Sequence, residues 1–158
     1  MMRFELVAVG KLREKWLQKG AEEYEKRLSR FARVNIMEIP DQPYPKSSGE
    51  RERALRKEGE QILARLGARS FIIALDARGK SLDSMGLAAL FRNKFLQGTS
   101  TVTFIIGSSL GLDREVLARA DFCLSFSAFT FPHQLMRVVL LEQIYRACKI
   151  NAGEIYHK

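Results

Sequence analysis

Residues 124–147 read LSFSAFTFPHQLMRVVLLEQIYRA, and the periodicity of this stretch changes in its middle. The first half is an apolar run of the kind that fills a buried strand, and the second half repeats apolar residues at helical spacing. Pro132 stands at the junction, where a helix tolerates a missing N–H. We therefore expect a strand, a loop and a last helix from near Pro132 to about Ile150, with Thr130 or Phe131 as its N-cap.

The same alternation of strand and helix runs through the whole chain. Short runs rich in β-branched or aromatic residues predict strands at residues 4–9, 34–39, 71–75, 101–106 and 122–126. Amphipathic or helix-forming segments lie between them, at residues 13–30, 50–66, 84–96 and 113–120. Five such alternations predict an α/β fold, with a mainly parallel sheet and helices on both faces.

The length and composition suit one domain over residues 1–158. No run reaches the roughly 18 uncharged apolar residues that a membrane span needs, and the N-terminus is too charged for a secretory signal. These features predict a cytoplasmic protein without a membrane segment. Cys123 and Cys148 lie among apolar neighbours and outside any CxxC or Cys/His pattern, so we expect buried thiols and no metal.

The chain is strongly basic. It carries 26 Lys and Arg against 18 Asp and Glu, a net charge of +8, and the excess is spread along the sequence. A basic field attracts phosphate-rich polymers and speeds encounter with them. The charge favours a nucleic-acid partner, although a basic surface also serves solubility alone.

Small and polar residues follow three of the predicted strands. Ligands of open parallel sheets bind outside the carboxyl ends of the strands, and the segments there are LDARGK (75–80), IGSSLG (106–111) and SFSAFTFPHQ (125–134). Their small side chains would let a flat ligand reach backbone groups. The chain has no GxGxxG after the first strand and no GxxxxGK[ST], so neither a conventional dinucleotide site nor a P-loop is indicated. IGSSLG alone is more typical of a structural turn.

His133 and Arg137 lie four residues apart and therefore project from one face near the start of the last helix. Arg137 falls inside LMRVVLL, where a guanidinium is costly to bury unless it is paired or faces a ligand. Two interpretations are open. Arg137 is either the partner of an acid such as Asp76 or Glu142, or a group that recognises phosphate or a ligand carboxylate.

Two further segments have an open role. The tail NAGEIYHK ends in Tyr156, His157 and Lys158, which suit stacking on a base and pairing with phosphate, although chain termini are commonly frayed. Residues 40–50, PDQPYPKSSGE, hold three of the four prolines. This segment is predicted to be a surface loop, and the functional alternative is a mobile arm that touches a large substrate.

Five motifs together carry a family resemblance: VAVGKL near the start, then ALDARGK, FIIGSSLG, the stretch 124–147 and GEIYHK. In this order and spacing they resemble the RlmH family of SPOUT-class methyltransferases over nearly the whole chain. The resemblance implies S-adenosyl-L-methionine as methyl donor and, as acceptor, N3 of a pseudouridine in the helix 69 hairpin of 23S rRNA on the ribosome. It also implies a C-terminal trefoil knot and a homodimer with the site at the subunit interface.

The resemblance further implies which residues line the donor. These are in the knotted loops: Leu75, Gly107, Phe126, Ser127, Ala128, Phe129, Thr130 and Phe131. Ser108 departs from the family, which commonly has a second glycine there. We expect its side chain to crowd the donor or to require a different loop path.

For the acceptor, a positioned base must remove the proton from N3. His133 is one candidate, and Tyr156 of the partner subunit or His157 of the partner subunit is another. Arg137 is expected to anchor phosphate or to stabilise the negative charge that develops on the base.

Two other functions stay open. One is a non-catalytic RNA- or ribosome-binding protein that keeps the basic surface and has lost donor binding. The other is a SPOUT methyltransferase that acts on another RNA such as tRNA. Since so short a chain has little area of its own and no added RNA-binding domain, the sequence favours an acceptor presented by a large preformed surface.

Overall fold

The computed structural model describes residues 1–156, in which strands and helices alternate as predicted. Their bounds are β1 Met2–Val9, α1 Lys15–Leu28, β2 Ala32–Ile39, α2 Ser48–Leu63, β3 Phe71–Ser81, α3 Ser84–Leu96, β4 Thr101–Ile106, α4 Arg114–Arg119, β5 Phe122–Ser125 and α5 His133–Asn151. The predicted α/β class is confirmed.

The five strands form one parallel sheet in the order β2-β1-β4-β3-β5. Strands covered on both faces read as continuous apolar runs. The apolar run at residues 101–106, which the sequence predicts as a strand, is β4. Because all the strands run in one direction, their carboxyl ends meet at one side of the sheet. We call this side of the sheet, together with the loops that follow the strands, the carboxyl edge.

Helices cover both faces of the sheet, as predicted. On one face, α1, α3 and α5 pack against alternate residues of β1 and β4, and the ring of Phe91 lies 4.9 Å from that of Phe4 and 6.1 Å from that of Phe104. On the other face, Ile62 of α2 and Val116 of α4 belong to a second buried cluster. Burial of these rings and aliphatic chains is the main source of stability, at roughly 25 cal/mol per Å² of apolar surface removed from water.

β3 extends beyond the predicted end at residue 75. Leu75 and Lys80 both pair with Leu124 of β5, so the residues between them form a bulge out of the strand. Gly79 permits this close approach, since a Cβ there would lie 2.6 Å from the carbonyl oxygen of Cys123. The prediction was wrong because the sequence of the bulge is polar and the pairing that continues the strand joins residues far apart in the chain.

The start of α5 also differs from the prediction. Pro132 has an extended ψ of 128°, and its carbonyl oxygen accepts a 2.9 Å bond from the backbone N–H of Met136. Pro132 is therefore the N-cap, in place of Thr130 or Phe131, and the first helical residue is His133. The end of the helix agrees with the prediction, and Gly153 just beyond it has a left-handed φ of 71°.

Both cysteines are free and partly buried. Burial raises the pKa of the Cys148 thiol to about 12, so this group stays protonated at neutral pH. As for a membrane segment, none of the helices in residues 1–156 combines the length and the apolar character that a bilayer crossing requires.

Candidate active site

A cavity of about 840 Å³ opens at the carboxyl edge. Its walls are the bulge of β3, the loop after β4, the loop after β5 and the first turn of α5. It lies in the size range of ligand sites, and its lining is mostly apolar with a few polar groups, as such sites commonly are. The predicted site residues that line it are Leu75, Gly107, Phe126, Ser127, Phe129, Thr130, Phe131 and His133. Ala128, Arg137 and Tyr156 are not among its lining residues.

The loop after β4 forms a tight turn on the cavity wall. The backbone N–H of Gly111 donates to the carbonyl oxygen of Ser108 at 3.0 Å, and Gly111 adopts a left-handed φ of 88°. At Gly107 a Cβ would lie 2.7 Å from the carbonyl oxygen of Gly111 and 2.9 Å from Cδ2 of Leu112. Only glycine fits there, because the turn closes against the position that a side chain would occupy.

Ser108 has a partner that the sequence did not indicate. Its hydroxyl donates to Oε1 of Glu58 at 2.8 Å, and Glu58 is 3% exposed in the middle of α2. A second tie runs from Nη2 of Arg51 to the carbonyl oxygen of Leu110 at 3.1 Å. Helix α2 therefore supports the cavity loop through two hydrogen bonds, and the hydroxyl of Ser108, which lines the cavity, is engaged by Glu58.

A signal for Glu58 was present in the sequence. It stands at helical spacing between Ala54 and Ile62, both of which are buried. A carboxylate on the apolar stripe of a helix needs hydrogen-bond donors. Here Ser108 supplies one, and the backbone N–H of Gln42 supplies another at 3.1 Å.

The bulge of β3 contributes the charged side of the cavity. Arg78 donates to Asp76 through its side chain, with Nη2 at 3.1 Å from Oδ2, and through its backbone N–H at 2.9 Å from Oδ1. The hydrogen bonds from Arg78 hold the pKa of the Asp76 carboxyl below its usual value. The acid therefore stays ionised near the cavity.

The loop after β5 presents two phenyl rings around the opening. The backbone N–H of Phe129 donates to Oγ of Ser127 at 3.0 Å, which fixes the turn. Phe129 is 80% exposed and Phe131 is 39% exposed. These rings offer stacking surfaces to a flat ligand at the mouth of the cavity.

His133 lies between the cavity and the loops that follow β1 and β2. A Cβ at Gly10 would lie 3.9 Å from Nε2 of His133 and equally far from Oδ2 of Asp41. The imidazole therefore has the cavity on one side and the ends of β1 and β2 on the other. His133 thus lines the cavity, and its part in a reaction stays a prediction.

Arg137 is buried one turn below His133, with 3% exposure. Its Nη1 donates to Oε2 of Glu38 at 2.6 Å, and its Nη2 donates to the carbonyl oxygen of Gly10 at 2.9 Å. Arg137 is thus the partner of an acid, as one of the two interpretations held, but the acid is Glu38, since Asp76 and Glu142 bind other arginines. Glu38 precedes Arg137 by 99 residues, and their contact depends on the pairing of β2 with β1.

Tyr156 lies at the other end of α5. Its hydroxyl donates to Oε1 of Glu142 at 3.4 Å, and its ring is 5.0 Å from that of Tyr145. Burial and the charge of Glu142 raise the pKa of the phenol. Since Glu142 is about 13 Å along the helix axis from His133, Tyr156 does not reach the cavity of its own chain. His157, the other predicted tail residue, lies outside the described residues.

No metal site is found among residues 1–156, which contain no group of three or more His, Cys, Asp or Glu side chains placed to hold an ion. The cavity instead suits an organic ligand with a flat ring. Leu75 and Phe126 supply apolar walls.

Comparison with known proteins gives one consistent family. Residues 2–157 match the family model described as predicted SPOUT methyltransferase. Ribosomal RNA large subunit methyltransferase H of Carboxydothermus hydrogenoformans is 55% identical over 99% of this chain and 100% of that protein. The protein of the same name from Clostridium novyi is 51% identical over the same shares.

Solved structures give a more distant likeness. A probable methylase family protein from Haemophilus influenzae Rd KW20 superposes with a TM-score of 0.54 at 13% identity, over 99% of this chain and 70% of that one. A probable methyltransferase from Bordetella pertussis Tohama I gives a TM-score of 0.56 at 14% identity, over 93% and 95% of the two chains. At these identities the likeness concerns the fold alone.

Proposed function

The chain belongs to the RlmH family of SPOUT methyltransferases, and from this we propose that it methylates large-subunit rRNA. The donor is S-adenosyl-L-methionine, and the acceptor is N3 of a pseudouridine in the helix 69 hairpin of 23S rRNA, presented by the ribosome in the cytoplasm. The protein acts as a homodimer with a trefoil knot in its C-terminal part.

The observation that carries the proposal is the cavity at the carboxyl edge. Seven of the eight residues expected to line the donor do line this cavity. The apolar walls formed by Leu75 and Phe126 suit an adenine ring, and Asp76 on the cavity wall offers a carboxylate, which in this structure is paired with Arg78. These groups fit S-adenosyl-L-methionine.

The chemistry that remains for the protein is orientation and proton removal. When bound, the donor supplies an electrophilic methyl group on a sulfonium sulfur. Pseudouridine N3 carries a proton at neutral pH, so a base near the cavity must accept it. His133 is the best placed of the described candidates because it lies at the cavity wall. A positioned base contributes about 10² to 10⁴ in rate.

Arg137 supports this base from beneath. It joins the first turns of α5 to Gly10 and Glu38, and so fixes the position of His133 relative to the ends of β1 and β2. Direct contact of Arg137 with the acceptor requires the guanidinium to leave Glu38. We therefore propose a positioning role for Arg137, with charge stabilisation of the acceptor as the alternative to be tested.

The tail completes the site from the other subunit. Tyr156 of the partner subunit and His157 of the partner subunit are proposed to close the acceptor side, since Tyr156 of the same chain packs on the far half of α5. Tyr156 in its described position is a poor base because its pKa is raised. Its expected contribution is stacking or hydrogen bonding.

Isothermal calorimetry with S-adenosyl-L-methionine tests donor binding. An rRNA methyltransferase gives saturable heat with one site per chain, whereas a non-catalytic RNA-binding protein of the same family gives none. The second possibility depended on Ser108 obstructing the donor. Its hydroxyl is instead bound to Glu58, so we expect saturable binding.

A further inference from the structure

We infer that the segment between β2 and α2, residues 40–47, is a rigid arm on which Tyr44 stacks against an unpaired base of the acceptor RNA while Lys46 approaches the RNA backbone. This inference rests on the proposed function and adds a binding surface to it. The arm is the proline-rich segment whose role the sequence left open.

The arm is tied down at both ends. The backbone N–H of Gln42 donates to Oε2 of Glu58 at 3.1 Å, and that of Lys46 donates to Oε2 of Glu50 at 2.7 Å. At the helix start, Oγ of Ser47 accepts from the backbone N–H of Glu50 at 3.2 Å. The bonds at Ser47 and Glu50 are those of an ordinary helix start, and the bond from Gln42 is additional to them.

Between these ties the backbone has little freedom. Pro43 and Pro45 have fixed φ values, and each proline restricts the residue before it, which places Tyr44 between two constraints. Tyr44 is nevertheless 84% exposed. Single exposed aromatics are ordinary on protein surfaces, but this one is held in position on an immobilised backbone, which reduces the entropy lost when a partner covers it.

The arm lies beside the proposed base. Asp41, at its start, and His133 both lie 3.9 Å from the position of a Cβ on Gly10. From Asp41 to Tyr44 the chain can extend at most about 11 Å. The phenol ring therefore lies on the same side of the sheet as His133, within reach of an RNA that places a base there.

The charge of the surroundings suits a polyanion. Lys46 on the arm and Lys11 and Arg13 on the neighbouring loop after β1 are exposed. Exposed aromatic rings interleaved with cationic side chains are the common surface for unpaired nucleotides, where the ring contributes stacking and the cations contribute phosphate contacts.

Glu58 gives the arm a connection to the donor cavity. One oxygen of its carboxylate holds the arm at Gln42 and the other holds Ser108 on the cavity wall. The arm, and the RNA that it contacts, is thereby held at a fixed position relative to the donor cavity.

The test measures methyl transfer to ribosomes purified from cells that lack this chain. Tyr44→Ala should raise KM for ribosomes by roughly 5- to 150-fold, the range for loss of one stacked base, with kcat and donor Kd within twofold of wild type. Tyr44→Phe keeps the ring and should retain wild-type KM. Phe95→Ala removes a ring of 53% exposure at the opposite end of the molecule and should change nothing.

A spectroscopic readout separates stacking from a structural role. In a Trp16→Phe background, Tyr44→Trp places the only indole of the chain on the arm, and its emission should be quenched when ribosomes are added. An unchanged KM for Tyr44→Ala, or an unquenched indole, overturns the inference while wild-type methylation leaves the proposed function standing. A change of sedimentation in Tyr44→Ala would show that a second copy of the chain covers the arm, and would also overturn it.

Discussion

At position 107 a side chain has no room, and this makes Gly107 the sharpest residue-scale test of the donor cavity. Gly107→Ala places a Cβ 2.7 Å from the carbonyl oxygen of Gly111, so the wall of the cavity must shift. We expect the Kd for S-adenosyl-L-methionine to rise at least tenfold in calorimetry. Gly67→Ala is the control, since its Cβ would meet only Cβ of Ser70 at 3.9 Å. Equal affinity in both variants would argue that the donor binds elsewhere.

His133 is the residue to which the proton transfer is assigned. His133→Gln keeps a polar side chain at the start of α5 and removes the base, so single-turnover methyl transfer should fall by about 10² to 10⁴. Donor Kd should stay within a few-fold of wild type. A rate near that of wild type would show that His133 is not the base, and would leave the tail of the partner subunit as the candidate.

The two roles proposed for Arg137 predict different effects of Glu38→Gln on kcat. Arg137→Ala should lower methyl transfer more than donor binding under either role. If Arg137 positions His133, then Glu38→Gln weakens the same tie and should lower kcat as well. If Arg137 touches RNA, Glu38→Gln releases the guanidinium and should leave kcat intact or raise it. Equal losses of transfer and donor binding in Arg137→Ala would contradict both.

At the scale of elements, helix α2 is the support of the cavity loop. Glu58→Ala removes the acceptor of the Ser108 hydroxyl and of the Gln42 N–H. Leaving buried donors unsatisfied costs about 1 to 3 kcal/mol, and we expect a free energy of unfolding lower by that amount together with weaker donor binding. Urea denaturation and calorimetry measure the two effects.

The pair Glu58 and Ser108 can be isolated with a double-mutant cycle. Ser108→Gly removes the hydroxyl, so Glu58→Ala should cost less in that background than in wild type. Strict additivity of the two changes in unfolding free energy would mean that the hydrogen bond does not support the loop.

The elements themselves were predictable to different degrees. β4 follows from sequence because a strand buried on both faces is apolar throughout. The continuation of β3 to Ser81 was not predictable because its bulge is polar and its pairing partner is Leu124 in β5. The N-cap of α5 was misplaced by one or two residues, since Pro132, which was expected in the first turn, has an extended ψ of 128° and stands before the helix.

The site was predictable where the residue type itself is informative. His133 stands at the cavity, as expected from its place at a helix start, and Gly107 stands there as the family resemblance implied. The partners of Arg137 and Ser108 were not predictable, since the contact of Arg137 with Glu38 spans 99 residues and that of Ser108 with Glu58 spans 50. Such pairs are fixed by strand order and helix packing, which composition and periodicity do not determine.

At the scale of the whole molecule, the proposed site needs two chains. Deletion of residues 156–158 should abolish methyl transfer and leave donor binding and the fold in place. Mixing this truncated chain with His133→Gln should restore about a quarter of wild-type activity, since half of randomly paired dimers hold one complete site. Sedimentation is the control that mixed dimers form. If mixed dimers form and are inactive, the tail acts in the site of its own chain.

The central claim is that this chain transfers a methyl group to large-subunit rRNA. The most direct measurement incubates the protein and isotopically labelled S-adenosyl-L-methionine with ribosomes, with separate subunits, with naked rRNA and with tRNA, each from cells lacking the modification, and locates the label by mass spectrometry. We predict one labelled nucleotide, a pseudouridine methylated at N3 in the helix 69 hairpin of 23S rRNA, formed most efficiently on ribosomes. Label in tRNA, or no label in any RNA, would contradict the account.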